Sequence, residues 1–207
     1  MQIESALLLV VVVMFSAVIH EVMHGYAADK LGDPTARYAG RLTLNPIPHI
    51  DFFGSIILPF ITVFSTGFFF GWAKPVPYNP YNLTRAPYWG EAIVAVAGPA
   101  SNLAIALFFG LIIRANVLPI ANEIWFYVIA INISLMTLNL IPIPPLDGSK
   151  ILSALLPRGL SRGYDQLRAQ LEFNPLLGLG IVILFIMVLG GTFGSFVYSV
   201  ARFLAGI

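Results

Sequence analysis

Val18-Ile19-His20-Glu21-Val22-Met23-His24 decides how this chain is read. It closes an apolar run from Ala6 to Ile19 with two imidazoles and a carboxylate. Ionisable groups at membrane depth are costly, so they are read as functional by default. On an α-helix, residues four apart lie one above the other, so His20 and His24 can turn a ring nitrogen toward one ion. Glu21 is displaced by about 100° around the helix and stands beside such an ion rather than on it. This is the HExxH arrangement of a zinc hydrolase: two imidazole ligands, a carboxylate to accept a proton from water, and a third ligand from elsewhere. A pair of buried, hydrogen-bonded histidines is the simpler alternative. It is disfavoured because the chain has 3 histidines and two of them fall at this spacing.

Working outward, the composition sets the solvent. Of 207 residues, 58% are hydrophobic and 10% charged, against about 25% charged in soluble domains. The chain is an integral membrane protein by this measure, a single membrane domain over residues 1–207. With 0 cysteines, disulfides and thiolate metal sites are excluded, and one Zn2+ would have to be held by histidine and carboxylate. A net charge of +1 gives no reason to expect nucleic acid. The N-terminal run lacks a basic leader region, since Glu4 is its only charge, and is expected to remain as a transmembrane helix.

Four stretches are long and apolar enough to span a bilayer: about 5–27, 91–113, 124–141 and 176–204. The run 52–70 contains Pro59 and Gly67 and is better read as re-entrant. If it returns to its own side, Lys30, Arg37, Arg41, Lys74, Arg85, Lys150, Arg158, Arg162 and Arg168 share one face, against Arg114 and Arg202. That asymmetry marks the larger set as cytoplasmic, places the N-terminus outside, and puts the His20/His24 end of the first helix near the cytoplasmic face. Short alternating pieces between Gly, Pro and Asn in 34–50 predict a small β element, and the prolines of 71–80 an extended segment. The expected fold is all-α and polytopic, with about four spans, one re-entrant segment and that membrane-associated β element. Residues 157–173 are polar and expected as a solvated linker before the last span.

The third ligand is not fixed by spacing. Glu123 falls in a loop on the opposite side. Asp147 follows the proline break Pro142-Ile143-Pro144-Pro145, where carbonyls lose helical partners at membrane depth, a loss tolerated where protein lines a cavity. Asp147 is equally readable as a helix N-cap before Gly148-Ser149-Lys150. His49 and Asp51 are also within conceivable reach, although turn residues with local hydrogen bonds are the more usual outcome. Asn102, in Gly98-Pro99-Ala100-Ser101-Asn102, reads first as a packing residue that bonds a neighbouring backbone.

Taken together, His20-Glu21-Val22-Met23-His24, Gly98-Pro99-Ala100-Ser101-Asn102, and Asn139 through Leu146-Asp147-Gly148 resemble the site-2 protease family of intramembrane zinc metalloproteases. The resemblance covers about residues 5–156. It implies that Asp147 is the third zinc ligand, Glu21 the general base, and Asn139 a substrate-holding residue. It leaves His49 outside the zinc shell. It implies a compact branch without PDZ or CBS modules, acting on transmembrane protein substrates as a multi-pass protein of the cell membrane. A metal carrier with the same ligands would need a polar file across the bilayer, and the outer halves of these spans are nearly free of ionisable groups. A metal-free scaffold would not need the base and all three ligands. The oligomeric state is open.

Overall fold

In the computed structural model, residues 3–57, 60–61 and 71–207 are described. Most of the expected re-entrant stretch 52–70 lies outside them. Contacts divide the chain into two units, Met1–Gly90 and Glu91–Ile207. Four helical segments are long and apolar enough to cross a membrane: Leu8–Leu31, Gly90–Arg114, Pro119–Asn139 and Leu177–Ala205. The chain is accordingly a multi-pass membrane protein.

The first unit is built on α1 (Ile3–Leu31). Ser16, His20 and His24 recur every four residues and are all buried, which gives an otherwise apolar helix one polar stripe. Beyond α1, Gly32 adopts φ +114°, a left-handed conformation that turns the chain away. Asp33 then acts as a four-way anchor. Its Oδ1 accepts from Thr35 N (3.2 Å), Thr35 Oγ1 (2.5 Å) and Asn82 Nδ2 (3.0 Å), and its Oδ2 from Asn79 N (2.6 Å). Burial pushes this carboxyl up, but the bonds from Thr35, Asn82 and Asn79 outweigh it and hold the pKa below its ordinary value.

The β element expected in 34–50 is not there. Thr35–Tyr38 is a short helix, α2, and Ile47–His49 a single 3-10 turn; the described residues contain no strand. The reason is local. The Asp33 side chain takes the Thr35 amide, Asn45 Oδ1 takes the Ile47 amide at 3.1 Å, and Pro46 and Pro48 have no N–H to give a ladder. Residues 71–79 carry no regular secondary structure, as the prolines predict. Amides at every second position are nonetheless satisfied, Trp72 on Gly54 O (3.1 Å) and Lys74 on His49 O (2.8 Å).

The second unit contains α3 (Gly90–Arg114), α4 (Asn122–Asn139), α5 (Asp147–Leu155), α6 (Arg158–Phe173) and α7 (Pro175–Ala205). Ala106, Ile113, Ile129, Ile133, Val197, Ala201 and Ala205 form its buried core. The alanines let α3, α4 and α7 approach closely, the usual solution where lipid supplies no hydrophobic contrast. Their outer faces stay apolar, with Met187 78% and Val188 71% exposed. Asn102 and Asn132, both fully buried, join α3 to α4 through Asn102 Nδ2 donating to Asn132 Oδ1 at 2.9 Å. Asn102 thus acts as a packing residue that joins two helices.

Arg114, at the end of α3, donates from Nε to Leu204 O at 2.7 Å and also bonds Phe203 O, which satisfies carbonyls at the end of α7. At the opposite end of the unit, Arg158–Phe173 of the expected linker is a helix with no buried residue. Leu160, Tyr164, Leu167 and Leu171 recur at helical spacing. Arg168 ties α6 to Glu91 of α3 at 3.0 Å, and Ser153 Oγ donates to Asp165 at 2.5 Å. Burial opposes the Arg168 charge, but Glu91, Glu172 and Asp165 together hold its pKa above the ordinary value.

Candidate active site

In the first unit, the rings of His20 and His24 meet edge to face, with centroids 4.6 Å apart and planes at 85°. Both are more than nine-tenths buried. Glu21 leaves the helix on an adjacent face, where its Oε2 accepts the backbone amide of Val76 at 2.9 Å. The approach of that segment to α1 depends on Gly25. A Cβ there would come within 2.7 Å of Leu42 Cδ2 and 2.9 Å of Val76 Cγ1.

Behind Glu21 lies a buried cation that sequence reasoning missed. Arg41 is 7% exposed; its guanidinium donates to Lys74 O at 2.7 Å and lies 3.4 Å from His49 Nδ1. Its Nε is buried with no hydrogen-bond partner. No spacing rule links Arg41 to Glu21, so only its position among apolar neighbours could have flagged it. His49 is 1% exposed, and its Nε2 lies 2.9 Å from Thr43 O. A carbonyl only accepts and a guanidinium only donates, so Nε2 carries the proton and Nδ1 turns its lone pair to Arg41. His49 is therefore a neutral structural imidazole. Burial pushes its pKa down, the bond to Thr43 pulls it up, and the Arg41 charge adds to the depression, which is the net result. Burial also lowers the Arg41 pKa, against the pull of Glu21. Asp51 is likewise local, with Oδ1 accepting from Gly54 N at 2.6 Å.

In the second unit, α4 ends at Asn139, whose Nδ2 donates back to Leu135 O at 3.0 Å. Carbonyls freed by the proline break are taken up locally. Ile143 N bonds Ile141 O, Leu146 N bonds Ile143 O, and Tyr164 Oη donates to Pro142 O at 2.9 Å. Asp147 is buried in the first turn of α5. The flanking residue is Leu146, with extended dihedrals and no side-chain cap, so the N-cap reading of Asp147 does not hold. Gly148 follows because a Cβ there would collide with the carbonyl oxygens of Leu140 and Ile141.

His20, His24 and Asp147 are thus three buried residues with the donor atoms a metal ion takes. Two imidazoles and a carboxylate, in a chain without cysteine, are donor types that zinc takes. Glu123 lies in the first turn of α4, at the far end of that helix from Asn139.

Comparison with known proteins agrees. Residues 115–187 match peptidase family M50. YwhC of Bacillus subtilis (strain 168), provisionally named a zinc metalloprotease, is 38% identical over 171 residues, covering 76% of this chain and 73% of that protein. Rip2 of Mycobacterium tuberculosis (strain H37Rv), described in the same provisional terms, is 27% identical over 194 residues, 92% of this chain and 70% of its own length. Rip2 of Mycolicibacterium smegmatis is 31% identical over 139 residues, 65% of this chain and 52% of that protein. No solved structure matches. With a relative of this identity aligned over most of its length, the chain belongs to peptidase family M50, the site-2 protease family of zinc metalloproteases.

Proposed function

We propose that the chain hydrolyses peptide bonds of transmembrane protein substrates close to the cytoplasmic face of the cell membrane. His20, His24 and Asp147 hold one zinc ion, Glu21 is the general base, and Asn139 fixes the substrate backbone. The observation that carries the reading is the buried His20/His24 pair with the Glu21 carboxylate anchored beside it. Zinc bound there polarises the scissile carbonyl and makes water acidic enough to lose a proton near neutrality.

The chain's own groups do the rest. Glu21 uses Oε2 to hold the Val76 amide, which leaves Oε1 to take the proton of the attacking water and return it to the leaving amine. Asn139 has committed its Nδ2 to Leu135, so its Oδ1 is the atom available to accept an N–H from an unwound substrate. A helical substrate must unwind first, because its carbonyls are otherwise bonded internally. The cytoplasmic placement is supported by the nine basic residues that share one side in this topology.

The experiment is cleavage of a membrane-embedded substrate by purified protein, with metal analysis of each variant. Glu21→Gln is expected to keep zinc and lose about 10²- to 10⁴-fold in kcat. His20→Ala, His24→Ala and Asp147→Ala should lose the ion, and His49→Ala should keep it. Retention of zinc by Asp147→Ala together with its loss in His49→Ala would overturn the ligand set. Because the chain has no native cysteine, Lys150→Cys gives a single label, expected to react with an impermeant thiol reagent only from the cytoplasmic side.

A further inference from the structure

The Arg41–His49 pair is not used by the chemistry above, yet both side chains are more than nine-tenths buried. Its bonds converge on one residue. Arg41 donates to Lys74 O at 2.7 Å, and His49 O accepts Lys74 N at 2.8 Å, so both edges of Lys74 are gripped from the same loop. His49 closes that loop on itself through Nε2 and Thr43 O at 2.9 Å. Two residues beyond Lys74, the Val76 amide meets Glu21 Oε2 at 2.9 Å. Pro75, between them, has a fixed φ and transmits the position of Lys74 to Val76 with little slack.

We propose that Arg41 and His49 are positioning residues for the general base: a buried guanidinium–imidazole pair that clamps Lys74 and thereby holds the Val76 amide on Oε2 of Glu21. The clamp orients the carboxylate so that its other oxygen faces the attacking water. A flexible glutamate carries three side-chain rotors, and a misplacement of about 1 Å in a reacting group costs up to about 100-fold in rate. The inference rests on the proposed role of Glu21.

The test uses the full chain in detergent and reads the clamp in two ways. Hydrogen exchange at the Val76 amide reports the clamp without any catalysis. In Arg41→Gln and His49→Asn it is expected to speed up by about tenfold or more. Turnover of a membrane substrate should fall by about 10- to 100-fold in kcat, with KM and zinc content unchanged. Arg41→Lys, which still reaches Lys74 O, and His49→Gln, which still donates to Thr43 O, should recover most of both readouts and stand in if the first variants do not fold. In Glu21→Asp, whose shorter side chain leaves the Val76 amide, Arg41→Gln should cost less than about threefold further. Unchanged Val76 exchange, or an equal loss of kcat in both backgrounds, overturns the clamp. A wild type that neither holds zinc nor cleaves overturns the proteolytic reading instead, while the exchange measurement still decides the clamp.

Discussion

The two units solve their folding problem by different means. In the first, beyond α1, loops are pinned by buried or half-buried side chains that bond backbone: Asp33 to Thr35 and Asn79, Arg41 to Lys74, His49 to Thr43, Asp51 to Gly54. In the second, three long helices pack through alanine and isoleucine, and the Asn102–Asn132 bond lies inside that packing. The difference follows from what each must do. Charge-assisted hydrogen bonds are directional and fix a carboxylate in angle as well as distance, whereas apolar packing in lipid fixes helices against one another but aims nothing. Glu21, the residue proposed as general base, sits in the hydrogen-bonded unit.

That contrast can be broken from either side. The largest effect is expected from Asp33→Ala, which removes four bonds to a buried carboxylate and should cost on the order of 4 kcal/mol. It should open the first unit to trypsin at Arg37 and Arg85 while leaving α7 protected. Gly148→Ala comes next, at about 2 kcal/mol, because the added methyl meets backbone oxygens that cannot turn aside. It should also lower zinc content through the adjacent Asp147, read by metal analysis of the purified variant. Asn132→Leu should cost only about 1 kcal/mol in thermal unfolding, the scale of an interhelical bond in lipid. Equal sensitivity of the two units to these polar deletions would erase the distinction.

The smallest effect is the pH response of the first unit. His49 is held neutral with a pKa below its ordinary value of 6.5, so the unfolded chain binds the proton more readily. Stability is then constant above about pH 7 and declines as pH falls below about 6.5, until the folded-state pKa is passed. Asp33 responds in the same direction, in a window at lower pH. Its depressed pKa contributes stability that is present above the unfolded value of about 3.9 and lost only as pH falls further. Tryptic cleavage at Arg37 and Arg85 in wild type and His49→Gln across pH 5–7.5 checks the first window, and the variant should show a flatter profile.

By itself, the sequence determined the features that depend on near neighbours along the chain. The i, i+4 spacing of His20 and His24, the apolar length of four spans and the proline break before Asp147 are all local, because helical period and hydropathy act over a few turns. Only the tertiary structure decided the rest. Residues 34–50 alternate like strands, yet Asp33 took the Thr35 amide and Asn45 the Ile47 amide, and the segment forms short helical turns. Residues 157–173 look solvated by composition, yet Arg168 found Glu91, 77 residues away, and the segment is a helix. Glu21 stood out in the sequence as a candidate base, but its anchor, the Val76 amide, lies 55 residues away and carries no side-chain signature. A backbone N–H is the same at every position, so which one meets a carboxylate is settled only when the chain has folded back on itself.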